Sequence, residues 1–277
     1  MNSWNNTARL EPPRVDGFGA CMISGYPHLP EESFFSCFRE LLEADLKAPV
    51  PHSTLSLGGF PISRVAKQLK KAIIGHPDFL LVQFGSTDIT VSLKYSLLSR
   101  LGNQFHFSVK RPDSRSRSKS KSKAPTHMEP FRSSLARQSF ELLKSGICRI
   151  LSVEPIHGGA SVYRESMEEI CSGAYSGGAV PILLAPFPHG DRVSDSWARR
   201  YRDILEEIAR IHHCIFVDTY RGLCDIPKED LLLEDKLHLS LFGHRLVGKL
   251  IHEAAAERIL QSMGHRKHKA GTAAIAA

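Results

Sequence analysis

An aspartate and a histidine three residues apart near the carboxyl end of the chain have the spacing of a catalytic base and the carboxylate that orients it. They are Asp235 and His238, and a stretch with helical spacing follows them. A carboxylate so placed can hold one ring nitrogen and leave the other free to take a proton. The alternative interpretation is an aspartate that caps a turn beside a surface histidine.

Two upstream segments could supply a nucleophile and groups that stabilise a developing negative charge. The first, Gly19 to Gly25, contains Cys21, and the second, Gly85 to Asp88, follows the apolar run 79–84. A free thiol, with a pKa near ~8.5, ionises more readily than an alcohol and can attack a carbonyl carbon. The alternative is that Cys21 is a small buried apolar residue, which is the usual position of a free cysteine.

In order and spacing, these segments resemble the sequence blocks of the SGNH (GDSL-like) hydrolases over nearly the whole chain. In that family, Gly-Asp-Ser-x-x-x-Gly comes first, a lone glycine second, Gly-x-Asn-Asp third, and Asp-x-x-His near the end. Here Cys21 replaces the serine, Ala20 the aspartate before it, and Thr87 the asparagine of the third block. The resemblance implies an α/β fold, a flavodoxin-like three-layer α/β/α sandwich with a mainly parallel sheet.

The resemblance also implies a catalytic triad. Ligands bind beyond the carboxyl ends of the strands in an open parallel sheet, and Cys21 follows the first strand while Asp235 and His238 follow the last. We expect Cys21 to attack, His238 to act as the base, and Asp235 to orient the imidazole. Ser24 is the weaker candidate nucleophile because it falls beyond the strand-end turn in the family pattern.

The expected donors to the oxyanion are the backbone N–H groups of Cys21 and Gly59 and the Thr87 hydroxyl. Gly59 matches the lone family glycine better than Gly58 by its spacing to the next helix. Loss of one such donor typically costs about 3 kcal/mol of transition-state stabilisation. We expect Asp88 to support its loop through hydrogen bonds and not to act in catalysis.

The other histidines give no further site. His189 follows a buried strand, and we expect it in a surface loop, with a position lining the pocket as the alternative. Four others lack partners at metal-ligand spacing: His212, His213, His244 and His252. We therefore predict neither a metal nor another cofactor.

The apolar pattern alternates between strands and helices, which favours a parallel sheet covered on both faces. We predict one domain at 14–264 between tails at 1–13 and 265–277, interrupted by a basic disordered insert at about 108–127. The expected strands end near Gly19 and lie at 53–57, 79–84, 149–153, 179–185 and 215–217. The expected helices lie at 31–46, 62–74, 91–101, 129–146, 195–211 and 246–260.

The net charge of +7 does not indicate a nucleic-acid partner. Seven basic residues lie between Lys110 and Lys123, and three more lie at Arg266, Lys267 and Lys269, so the rest of the chain is close to neutral. The serine-rich basic run has no interleaved aromatic residues, and we expect it to be solvated. The scattered cysteines, the amino terminus without a signal-peptide pattern and the absence of a ~20-residue apolar run favour a reduced cytoplasmic protein without a membrane span.

These features leave several functions open. The first is a hydrolase that cleaves a small-molecule, carbohydrate or lipid acyl ester, or a thioester, through an acyl-enzyme on Cys21. A variant on the same fold is an acyltransferase, because thioesters react well with amines and thiols. The others are a catalytically silent ligand-binding protein and an interaction protein that acts through its basic insert. The oligomeric state is not indicated.

Overall fold

Within the part of the chain that the structure describes, five parallel strands form the central sheet. The computed structural model describes residues 11–86, 88–89 and 159–275, with side chains as far as 263. The strands lie in the spatial order β2-β1-β3-β4-β5. Their bounds are β1 Val15–Gly19, β2 Thr54–Ser56, β3 Phe79–Gln83, β4 Val180–Leu184 and β5 Ile215–Val217. This order is that of flavodoxin-like sheets, and it confirms the predicted fold class.

Helices cover both faces of the sheet. They are α1 Phe34–Leu46, α2 Ile62–Val65, α3 Leu69–Ala72, α4 Ala160–Ser176, α5 Arg192–His212, α6 Thr219–Leu223, α7 Lys228–Leu231 and α8 Leu241–Ile275. Leu80 and Val82 of β3 pack against α2 to α5 on one face, whereas Phe79 and Leu81 pack against α1 and α8 on the other. The period-two alternation of a strand thus divides one apolar run between two cores.

Local capping sets the helix starts. The Ser33 side chain accepts the N–H of Ser36, so α1 begins at Phe34 and not at 31, and Pro30–Glu32 form a separate 3-10 turn. Asp191 accepts the N–H groups of Val193 and Ser194, so α5 begins three residues before the predicted start. Such side-chain acceptors satisfy N–H groups that have no partner within the helix.

Two other helices differ from their predicted extents. The helix expected at 62–74 is divided into α2 and α3 by a 3-10 turn, Ala66–Gln68. The closing helix, expected at 246–260, spans Leu241–Ile275, so its backbone continues into the segment for which a disordered tail is predicted.

Several predictions lie outside the described residues: the helices at 91–101 and 129–146, the strand at 149–153, the basic insert at 108–127 and the side chain of Thr87. Within the described part of the chain, no helix is both long and apolar enough to cross a membrane.

Candidate active site

Cys21 lies immediately beyond the carboxyl end of β1, in a turn held by backbone hydrogen bonds. The turn Cys21–Ser24 is a 3-10 helix, and it ends at Gly25, which has a φ of 85°. The Ser24 hydroxyl donates to the carbonyl oxygen of Cys21 over 2.9 Å. Cys21 is partly exposed, so its sulfur is accessible, whereas the Ser24 hydroxyl is engaged with the backbone.

The Asp235 carboxylate organises the loop between α7 and α8 and also holds the His238 ring. One oxygen accepts the N–H groups of Leu237 and His238 over 3.0 and 2.9 Å, and the other lies 2.5 Å from His238 Nδ1. Lys236, between them, has a φ of 59°. Burial by itself would raise the pKa of Asp235, but the hydrogen bonds from the His238 ring and from the two backbone N–H groups outweigh it and lower that pKa.

The fold brings Cys21 and His238 together across 217 residues of sequence. The Sγ atom of Cys21 lies 3.4 Å from Nε2 of His238, the ring nitrogen that Asp235 leaves free. The hydrogen bond with Cys21 is the largest cause of a rise in the pKa of His238 to about 9; burial opposes this rise, and the bond to Asp235 adds to it. A protonated His238 places a positive charge beside the sulfur that would attack.

The loop after β2 passes directly against Cys21. A Cβ atom added to Gly58 would lie 3.0 Å from Cys21 Cβ, whereas one added to Gly59, which has a φ of 80°, would meet nothing within 4 Å. Gly58 therefore lies against the nucleophile, whereas a side chain at Gly59 would point into open space. Among the described residues, no carbonyl outside the helices and strands accepts the backbone N–H groups of Cys21, Gly58 or Gly59.

This contact predicts different effects for alanine at the two glycines. Gly58→Ala should crowd Cys21 and slow its alkylation by iodoacetamide several-fold. Gly59→Ala should leave that rate near the wild-type value but cost about 1 kcal/mol of unfolding free energy, because its φ is left-handed. Alkylation kinetics and urea denaturation measure the two effects, and equal alkylation rates in the two variants would contradict the assigned contact.

Asp88 is buried, and its carboxylate accepts the N–H of Ile62 over 2.9 Å at the start of α2. The predicted supporting role of Asp88 is thus confirmed. Burial raises the pKa of Asp88 to about 7, although the backbone hydrogen bonds act in the opposite direction.

The pKa of Asp88 predicts a decline in stability as the pH rises. The folded protein keeps a proton that the unfolded chain releases near pH ~4, so this contribution is complete below that pH and is lost as the pH rises through 7. Asp88→Asn should make the fall in unfolding free energy between pH 4 and 8 shallower by roughly 4 kcal/mol. Urea denaturation across this range measures it, with the exposed Asp225→Asn as control; parallel curves for wild type and Asp88→Asn would contradict the prediction.

His189 is buried, so the expectation of a surface loop is wrong. Its backbone N–H donates to the Asp195 carboxylate over 3.1 Å. Burial lowers the pKa of its imidazole to about 4. The following Gly190 packs closely on Lys236, where an added Cβ would lie 2.9 Å from that side chain. The loop after β4 therefore supports the turn that carries Asp235 and His238.

Two aromatic residues near the base, Tyr26 and His244, belong to none of the sequence blocks that predict the site. The Tyr26 ring meets His238 edge-on, with ring centroids 5.1 Å apart, and its side chain is largely exposed. His244 is buried, stacks on Phe34 and accepts the Phe34 N–H over 3.1 Å. Burial lowers the pKa of His244 to about 4. Tyr26 thus lies at the open side of the base, and His244 fixes the start of α8 against α1.

Among the described residues, no cluster of three or more histidine, cysteine or acidic side chains could hold a metal ion. The arrangement of sulfur, imidazole and carboxylate has the groups that nucleophilic attack on a carbonyl requires.

Known structures share this architecture at low sequence identity. A lipase/acylhydrolase from Enterococcus faecalis is 16% identical, with a TM-score of 0.58 over 89% of this chain and 96% of that one. An acetylxylan esterase from Geobacillus stearothermophilus is 13% identical, with a TM-score of 0.57 over 87% and 93%. An α/β hydrolase from the metagenome of Lake Arreo, Spain, is 16% identical, with a TM-score of 0.53 over 87% and 94%. No family model and no curated protein matches the sequence.

Proposed function

We propose that this protein is a hydrolase that cleaves an ester or thioester through a covalent acyl-enzyme on Cys21. The observation that carries the proposal is the continuous line of contacts from the Cys21 sulfur to Nε2 of His238 and from Nδ1 of His238 to the Asp235 carboxylate. Each group has the neighbour that its role requires.

In the first half of the reaction, the Cys21 sulfur attacks the acyl carbon, and the oxyanion that forms accepts hydrogen bonds from free backbone N–H groups beside it. The bond to the leaving alkoxide or thiolate then breaks, and that group takes the proton of His238. In the second half, His238 accepts a proton from water, and the resulting hydroxide attacks the carbonyl carbon of the thioester. The bond between that carbon and the Cys21 sulfur then breaks and releases the carboxylic acid. Asp235 keeps the ring in one orientation throughout.

The similar structures support an acyl ester as substrate, because those proteins are named for lipase, acylhydrolase and acetylxylan esterase activity. We propose that small-molecule, carbohydrate or lipid acyl esters are the substrate class. Thr87 is proposed as an additional oxyanion donor on the basis of its position in the sequence block.

The decisive experiment is mass spectrometry of the intact protein after brief exposure to p-nitrophenyl acetate or a short-chain thioester. We expect a mass increase of one acyl group on Cys21. The adduct should be absent in Cys21→Ala and present in Cys224→Ala, which removes an exposed cysteine outside the site. No adduct with either donor, together with no turnover, would leave a catalytically silent binding protein as the explanation.

A further inference from the structure

A cavity of about 390 Å³ lies next to the loop that contacts Cys21. Leu57 and Phe60 line it, on either side of the Gly58–Gly59 turn. Leu57 precedes Gly58, the glycine that lies against Cys21. Consecutive Cα atoms are about 3.8 Å apart, so the cavity lining begins that far along the chain from Gly58. One loop therefore both contacts Cys21 and supplies part of the cavity lining.

The other wall of the cavity is basic. Arg64, Lys67 and Lys71 line it together with Gln68, and this spacing places them on one face of the segment formed by α2, the 3-10 turn and α3. None of the described residues that line the cavity is acidic. The three cations are exposed, and none has a carboxylate within salt-bridge distance among the described residues.

We infer that this cavity binds a phosphate group carried by the acyl donor, on the side of its leaving alcohol or thiol. The inference rests on the proposed function and names the substrate class within it. A guanidinium and two ammonium groups complement a group with two or more negative charges. Leu57 and Phe60 give the cavity an apolar side, which suits the hydrocarbon that joins the phosphate to the reacting acyl group.

The test uses two pairs of acyl donors that differ only in the phosphate. The thioester pair is S-acetyl phosphopantetheine and S-acetyl pantetheine, and the ester pair is 1-acetylglycerol 3-phosphate and 1-acetylglycerol. We expect kcat/KM for the phosphorylated member of at least one pair to exceed that of its partner by about tenfold, mainly through KM, and to fall with added salt. The pair that shows the preference identifies whether a thiol or an alcohol carries the phosphate.

The triple variant Arg64→Gln, Lys67→Gln, Lys71→Gln should reduce this preference to near one. Lys70→Gln, an exposed lysine of α3 that does not line the cavity, should preserve it. Turnover with no preference in the wild type, or a preference that survives in the triple variant, overturns the phosphate site and leaves the proposed hydrolase intact.

If no donor is turned over at all, calorimetry with pyrophosphate separates the two proposals. Binding by wild type and by Cys21→Ala that is lost in the triple variant supports the phosphate site without the chemistry. Absence of binding to the wild type, or equal binding by the triple variant, overturns the site.

Discussion

Replacing His238 by alanine should lower kcat/KM for p-nitrophenyl esters by roughly 10²–10⁴-fold, because the reaction then lacks both its base and its acid. Cys21→Ala should reduce the rate to the uncatalysed background. Steady-state kinetics on short-chain esters and thioesters measure both effects. The largest loss is expected at Cys21, since no other described side chain is positioned to form the acyl-enzyme.

A matched control for His238 exists in the same molecule. His252 also pairs with a carboxylate, with its Nε2 2.8 Å from Asp45, but this pair joins α8 to α1. His252→Ala should therefore leave kcat/KM close to that of wild type, and an equal loss in both histidine variants would indicate general destabilisation. Cys21→Ser gives a further comparison: retained ester hydrolysis would show that the base and the oxyanion donors are intact.

Iodoacetamide should alkylate Cys21 about tenfold faster than Cys224 at pH 7, because the His238 ring, which can carry a positive charge, lies 3.4 Å from the attacking sulfur. Cys224 is the appropriate internal comparison because it is exposed and its sulfur contacts Arg221 and Asp225 and not His238. Peptide mapping after timed alkylation measures both rates in one sample.

The pH dependence of this advantage follows from the pKa of His238, which is about 9. Below that value the ring is protonated and stabilises the thiolate, and above it the stabilising charge is lost. The ratio of alkylation rates between wild type and His238→Ala should thus be greatest below pH 9 and approach one as the pH rises through 9. A ratio near one across the whole range would contradict an activated thiol.

The order of strands and helices was open to prediction because their physical signals are local. The run 79–83 consists mainly of phenylalanine, leucine and valine, which is typical of a buried strand, and it forms β3. The order of the sequence blocks predicted that Cys21 meets Asp235 and His238. The position of Cys21 directly after β1 fits the strand-edge rule, whereas α6 and α7 separate Asp235 and His238 from β5.

What could not be predicted depends on contacts distant in sequence. The close approach of Gly58 to Cys21 depends on how the loop after β2 packs beside the turn after β1. The burial of His189 arises because its loop is covered by neighbours that include the Asp235 turn, which a local pattern does not contain. The contact of Tyr26 with His238 likewise joins two loops more than 200 residues apart.

The sulfur and its base lie 217 residues apart in the chain, and this separation has a consequence during protein synthesis. A ribosome releases the first strand long before the loop after α7 emerges, and domains complete their folding only when all their parts are available. Until then the thiol has no partner to activate it. A nascent polypeptide should consequently react with acylating and alkylating compounds only at the rate of an ordinary thiol, and the faster reaction should arise only once the loop that carries His238 is in place.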